Sequence, residues 1–229
     1  MKLLSTDSNS KVVKTNKKSG FLYAGLSLMP DSILCPHSKN AACFDACLKI
    51  SGLAAVYKSV NIARQKKTDY FHNDKTAFFE QLRRELFNLE ERAKKQGLKP
   101  AARLNVLSDI PYEKSGIIEE YPNIHFVDYT KNASRLNKTP DNYHLIFSYS
   151  GAPAFQKSNA KAFLTDSPIA VVFSKYLPLK FNGRVVIDGD NSDIFNARQR
   201  GRIVGLIAKG KTAKSDNTFV VDSDLIARA

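Results

Sequence analysis

The chain has 229 residues, 43% of them hydrophobic and 25% charged, which is ordinary for a globular protein and long enough to bury a sizeable core. No apolar run approaches the eighteen or so residues that span a bilayer, and Met1 to Gly20 is polar and lysine-rich, without the apolar stretch of a secretory signal. These features predict a cytoplasmic protein without a membrane partner, in which three cysteines cannot all pair and a disulfide framework is excluded.

The net charge of +13 suits a polyanionic partner such as nucleic acid, because Lys and Arg gain affinity by releasing phosphate counterions. The charge is scattered, however, over Lys11–Lys18, Arg83/Arg84, Arg92–Lys95, Arg198–Arg202 and Lys209–Lys214, so a solvated basic surface explains it equally well. No zinc-finger or ribonucleoprotein motif reads bases.

In chain order, residues 1–20 form a polar N-terminal segment and 21–229 a single α/β domain. Phe21–Leu28 reads as a first strand ended by Met29-Pro30-Asp31. A cysteine loop follows, and then apolar spacing predicts two helices. The first runs from Phe44 to about Arg64. The second opens on an Asn73 or Asp74 cap, carries the stripe Phe78, Phe79, Leu82, Leu86, Leu89 and Ala93, and is stopped by Gly97 and Pro100.

Beyond Pro100 the pattern changes to strands near Arg103–Leu107, Ile124–Asp128, Tyr143–Tyr149, Ile169–Ser174, Arg184–Ile187 and Arg202–Ala208. Runs such as Ile169-Ala-Val-Val-Phe173 are apolar throughout and predict burial on both faces. The gaps are too short for a full helix after every strand. A partial, open β/α barrel of six to seven mostly parallel strands is therefore expected.

The window Cys35-Pro-His-Ser-Lys-Asn-Ala-Ala-Cys43-Phe-Asp-Ala-Cys47 holds every cysteine of the chain and one of its four histidines. Cys43 and Cys47 are four apart and share a face if a helix begins there, while Cys35 reaches back across a loop kinked by Pro36. Three thiolates in so short a window predict a [4Fe-4S]-type cluster in which one iron keeps a non-cysteine ligand or an open position. The alternatives are a zinc site completed by His37, three buried thiols packed as small hydrophobes, and redox cysteines.

Chemically able residues recur where the strands end: Ser108-Asp109, Asp128-Tyr-Thr-Lys131, Ser148-Tyr-Ser150, Ser174-Lys175 and Asp188-Gly-Asp190. Sites of parallel α/β folds lie at the carboxyl ends of strands, although Asp, Ser, Lys and Gly are also common loop residues. The catalytic candidates are Asp109, Asp128, Lys131, Asp188 and Asp190. Arg103, Asn105 and Ser108 are candidate cofactor ligands facing the cluster. Asp109 with Glu113 is an acid/base candidate that the Ser-Asp-Ile-Pro turn also explains locally. Gly205-Leu-Ile-Ala-Lys-Gly-Lys-Thr212 fits the phosphate-loop spacing, but Gly205 lies in a strand-like run with no helix to follow, so it reads as a chance match.

Several stretches look familiar together. They are Asn9-Ser-Lys11, Leu26-Ser-Leu28 before Cys35-Pro36, Arg103-Leu-Asn105 with Ser108-Asp-Ile110 and Glu113, Asp128-Tyr-Thr-Lys131, Asn142-Tyr-His-Leu145, and Val186-Ile-Asp-Gly-Asp190 with Val204-Gly-Leu206. The set, running from about Asn9 to Gly210, resembles a bacteriophage family named after "gene product eighty-eight" of a mycobacterial phage. That resemblance implies a phage origin and a shared site rather than a particular reaction. The succession of strand, cysteine loop, helices and further strands also resembles radical S-adenosylmethionine enzymes. In those enzymes three cysteines hold the cluster and the cofactor binds the fourth iron. Here seven and three residues separate the cysteines, against three and two in that family's motif. S-adenosylmethionine is the cofactor this second resemblance implies. The contrasting expectation is a non-catalytic, basic nucleic-acid-binding protein with a structural metal.

Overall fold

The computed structural model describes residues 1–6, 12, 16, 20–44, 47, 57–190, 192–209 and 218–226. The strands are β1 (Leu4–Ser5), β2 (Phe21–Leu26), β3 (Lys99–Arg103), β4 (His125–Thr130), β5 (Tyr143–Ser148), β6 (Ile169–Phe173), β7 (Lys180–Phe181), β8 (Arg184–Asp188) and β9 (Ile203–Ile207). They join in the order β1-β2-β3-β4-β5-β6-β9-β8-β7. The seven strands from β2 to β8 run parallel, and the two-residue strands β1 and β7 add antiparallel ends. The sheet is thus mixed α/β, mostly parallel and open, as expected, but among the described residues its ends lie at β1 and β7 and no pairing curls it into a barrel.

From β2 to β6 each strand lies beside its predecessor, so right-handed crossovers all fall on one face. That face carries α1 (Lys58–Asn73), α2 (Lys75–Lys95) and α3 (Gln156–Phe163), with 3-10 turns at Tyr112–Ser115, Ala133–Arg135 and Pro153–Phe155 where there is no room for a helix. The step from β8 back to β9 reverses direction. Its short helix α4 (Asp193–Ala197) accordingly packs on the opposite face, where Ile194 and Ala197 meet Tyr23, Ala101, Val127 and Ile146. A last helix, α5 (Ser223–Ile226), follows a segment whose Val221 bridges Phe173 at the end of β6.

Helix α2 matches its pattern closely. Asp74 caps it by accepting the Ala77 amide at 2.9 Å, and Phe78, Leu82, Leu86, Leu89 and Ala93 are the buried stripe. Gly97 ends it with φ +64, a left-handed conformation that favours glycine. Three expectations need correction. The helices follow the second strand, because Leu4–Ser5 already pairs with the end of β2. The first of them is placed at Lys58–Asn73 rather than from Phe44 to Arg64, and residues 45–46 and 48–56 of the expected span lie outside the described residues.

The third correction concerns β3, which begins at Lys99, four residues before the expected Arg103–Leu107. Pro100 sits inside it. Lys99 donates its amide to Gly20 on the β2 side, so Pro100 turns its nitrogen towards β4, where pairing starts only at Ala101 opposite His125. The missing donor is therefore not needed there. The strand order adds what no sequence pattern offered: β9 is the last strand in sequence but is inserted between β6 and β8. Gly205 permits that insertion. A Cβ there would meet Val186 Cγ1 at 2.7 Å and Leu177 at 2.8 Å. Packing against β8 thus explains the glycine that opens the phosphate-loop match, whose residues 210–212 lie outside the described residues.

Candidate functional site

The cysteine loop leaves the carboxyl end of β2 and is folded by its own polar groups. Asp31 accepts the Ile33 and Leu34 amides, each at 2.8 Å, and its other oxygen meets His72 Nε2 of α1 at 2.7 Å. These bonds hold the Asp31 carboxyl below its ordinary range, against the opposing effect of partial burial. The Ser38 carbonyl accepts the Cys43 and Phe44 amides and lies 3.6 Å from Cys43 Sγ. Directly before Cys43, Ala42 is held at φ +50, a left-handed conformation that costs an alanine about 1 kcal/mol.

Two neighbouring strand-end loops clamp this loop beside its thiols. The Asp109 amide donates to Leu34 O at 2.7 Å, one residue before Cys35. The fully buried Ser150 hydroxyl donates to Ala41 O at 2.7 Å, two residues before Cys43. The cysteines themselves are half-buried and none is in a disulfide. Burial, then Asp109 and the other two cysteines, pushes the Cys35 thiol up to about 12. Burial also raises Cys43, with Lys131 opposing and Cys47 reinforcing. The three sulfurs therefore feel one another electrostatically. Among the described residues, no group of three His, Cys, Asp or Glu side chains converges closely enough to hold a metal ion. His37 stands edge-on to Phe155, its ring 6.4 Å away.

Lys131 supplies the positive charge here. It is buried, donates to Ser148 O at 2.9 Å and Tyr149 O at 3.0 Å, and lies over the rings of Phe219 and Phe155 at 4.4 and 5.6 Å. Its ammonium has no carboxylate within ion-pair distance among the described residues. Burial lowers its pKa to about 8, partly offset by Cys43, Asp109 and Cys35. A second cation faces the loop from α1: Cys47 acts on Arg64, whose pKa half-burial lowers.

The other expected site residues are placed unevenly. Asn105, Ser108, Asp109 and Asp128 are all buried on the helix-covered face beside the cysteine loop, but Asn105, Ser108 and Asp128 are bonded into one network. Asp128 accepts the Asn105 amide at 2.7 Å, Asn105 Nδ2 at 3.0 Å and the Tyr143 hydroxyl at 2.8 Å. Ser108 donates to Asn105 Oδ1 at 2.8 Å. Burial pushes the Asp128 carboxyl up to about 6. Asp109 and Glu113 are both bound by Arg135, the latter in a two-pronged pair at 2.8 and 2.9 Å. That arrangement absorbs the proposed acid/base pair into a buried ion triad.

Arg103 points to the opposite face. Its guanidinium bonds the fully buried Asp193 at 3.0 Å and stacks 4.5 Å from the centre of the Tyr129 ring. Asp193 also accepts the hydroxyls of Tyr129 at 2.9 Å and Tyr23 at 3.3 Å. Asp188 and Asp190 lie at the end of β8, with β5, β6 and β9 between them and β4. There Asp188 accepts the Asp190 amide and Asp190 pairs with Lys209 at 2.7 Å.

Sequence reasoning missed Arg135, Asp193, Ser150 as a clamp, and the aromatic seat of Lys131. Asp193 carried one weak signal, as an acid in the first turn after the capping Ser192, a position that also suits the helix dipole.

With this geometry established, comparison with known proteins places the chain. A family model described as Gene product 88 matches residues 2–223, so the chain belongs to that family, in agreement with the resemblance read from its strand-end motifs. No curated protein and no solved structure matches it. Among the described residues, no helix is long and apolar enough to cross a membrane.

Proposed function

We propose that this member of the gene product 88 family binds a [4Fe-4S]-type cluster through Cys35, Cys43 and Cys47, leaving one iron without a cysteine ligand. The observation that carries this reading is three half-buried, mutually interacting thiols beside the buried Lys131 ammonium, which has no carboxylate within ion-pair distance among the described residues. Burial and neighbouring thiols raise Cys35 and Cys43, so these thiols resist ionising together unless a cation replaces their protons, and a metal centre does that. The donor set fits the group: soft sulfur ligands suit iron and zinc alike, and a three-cysteine set is what an open-iron cluster requires. When bound, such a cluster supplies electron transfer or an open Lewis-acidic iron. The residues of this chain bring the thiols to the carboxyl edge of the sheet, clamp the loop through Asp109 and Ser150, and place Lys131 and Arg64 where they offset negative charge.

An extension to an S-adenosylmethionine enzyme rests on the order of elements. It gains nothing from Arg103, which faces away from Asn105 and Ser108. The zinc reading requires His37 to leave Phe155 and join the thiols. Purification without oxygen, with iron, sulfide and zinc analysis and a visible spectrum, tests the proposal. The expected result is a brown protein whose iron and sulfide disappear in the triple Cys→Ala variant while its folding cooperativity persists. A colourless protein holding stoichiometric zinc after cluster reconstitution would overturn it.

The second reading is a non-catalytic, basic nucleic-acid-binding protein whose cysteines hold structural zinc or a structural cluster. The net charge of +13 favours it. It predicts that the triple variant fails to fold.

A further inference from the structure

A separate cluster lies on the opposite face of the sheet, at the amino ends of the strands. His125 of β4 and His144 of β5 stack with ring centres 6.4 Å apart and planes inclined by 21°. Phe21 of β2 meets His125 edge-on at 5.3 Å. Arg198, directly after α4, lays its guanidinium over Phe21 at 6.0 Å. Lys99 at the start of β3 completes the group. Arg198 and Lys99 are exposed and the two imidazoles half-buried.

None of these four cationic or ionisable side chains has a hydrogen bond or ion pair among the described residues. Arg198 shares this with Arg84, Arg92 and Arg202 among the described residues, whereas the guanidinium groups of Arg83, Arg103, Arg135 and Arg184 all find oxygen partners; what distinguishes Arg198 is its place beside the two imidazoles. Arg198 acts on both histidines, Lys99 also acts on His125, and Asp141 is the one carboxylate that acts on either, facing His144. Four nitrogen-bearing groups without an ion pair among the described residues, with Asp141 acting on His144 alone, on a rigid sheet in a chain of charge +13, form a receptor for negative charge.

We infer that Arg198, His125, His144 and Lys99 form a binding surface for the phosphate backbone of nucleic acid, separate from the cysteine loop. Arg198 and Lys99 contribute fixed charge, and the two imidazoles add donors that become cationic as phosphate arrives. In the free protein both histidines sit below their ordinary pKa, first through burial and then through Arg198. A phosphate reverses the second effect. Binding therefore takes up protons, and affinity rises as pH falls through the imidazole range.

The test is fluorescence anisotropy of the full chain with short labelled single-stranded and duplex oligonucleotides. It is run at low and moderate salt, at about pH 8 and about pH 6. Arg198→Gln and the double variant His125→Gln/His144→Gln are compared with Arg84→Gln and with the triple Cys→Ala protein, after thermal melts have verified folding. The expected result is salt-sensitive binding that tightens at the lower pH. Arg198→Gln should lose about tenfold in affinity and about one unit of salt slope. The double histidine variant should lose the pH dependence, and the Arg84 and cysteine variants should keep both. No binding at low salt would overturn the inference. So would equal losses in Arg198→Gln and Arg84→Gln, or binding to heparin without binding to either oligonucleotide. Loss of cluster in the cysteine variant with binding retained separates this surface from the metal site.

Discussion

Two cations, Lys131 buried and Arg103 largely so, stand at the carboxyl edge of the same sheet, and the fold treats them differently. Arg103 is matched in charge: Asp193 bonds its guanidinium, Tyr129 covers it, and the Tyr23 hydroxyl donates to the same carboxylate. The Lys131 ammonium is surrounded by carbonyl oxygens, aromatic rings and thiols, with no carboxylate within ion-pair distance among the described residues. Burying an ion without its counter-charge is expensive, so folds ordinarily do what this one does at Arg103. The contrast teaches that the first cluster fastens α4 to the sheet, whereas the second leaves an ammonium beside the thiols without an ion-pair partner among the described residues.

Cutting the matched pair should have the largest effect. Asp193→Ala leaves Arg103 buried without its counter-ion and is expected to cost about 3–5 kcal/mol in denaturant unfolding. A loss under about 1 kcal/mol would mean that water or another group reaches Arg103, and the contrast would break.

Asp128 is the acidic counterpart of Lys131, a buried carboxyl with no ion pair among the described residues. Its pKa is about 6 against an ordinary 3.8, so the folded state holds its proton more tightly. The stability this contributes is complete below about pH 3.8 and is lost as pH rises through about 6. Relative to Asp128→Asn, the wild type should gain on the order of 3 kcal/mol on acidification across that window. Parallel pH–stability curves would show that solvent reaches the carboxyl.

The clamp on the cysteine loop gives a smaller signal. Ser150→Ala leaves Ala41 O without its donor, which should cost about 1 kcal/mol. It should also speed modification of Cys43 by a thiol reagent, measured by mass spectrometry. Unchanged reactivity would remove Ser150 from the account.

Smallest of all in stability, Lys131→Met should shift metal-free unfolding by no more than about 1 kcal/mol in either direction, because an apolar chain suits its aromatic seat. In contrast, iron retained through anaerobic purification should fall severalfold. A large loss of stability with unchanged iron would reverse the roles assigned to the two cations.

What the sequence disclosed follows from the range over which each force acts. Helix α2 was legible because its stripe and caps are local, and Ile169–Phe173 because burial on both faces leaves a continuous apolar run. Leu4–Ser5 was not, since two residues cannot display a period. Pro100 misled because its cost depends on which neighbour its nitrogen faces, and that is a matter of register. At the site, the thiols stood out by composition, and Lys131 by its place at a strand end. The Arg103–Asp193 pair joins residues ninety apart, and no local pattern announces it. The division of candidates between two faces likewise needed the topology.

The insertion of β9 between β6 and β8 has a consequence for how the chain is made. Strands β2 to β6 each find their neighbour already present as synthesis proceeds, so this half of the sheet can grow vectorially from the ribosome. Strand β8 emerges into a different situation. Its only earlier partner is the two-residue β7, and its place in the sheet does not exist until Ile203–Ile207 has left the exit tunnel. During that interval β6 and β8 both present open edges, which are sites for wrong pairing. A nascent chain stopped just before Ile203 should therefore be captured by chaperones, whereas one extended past β9 should escape them.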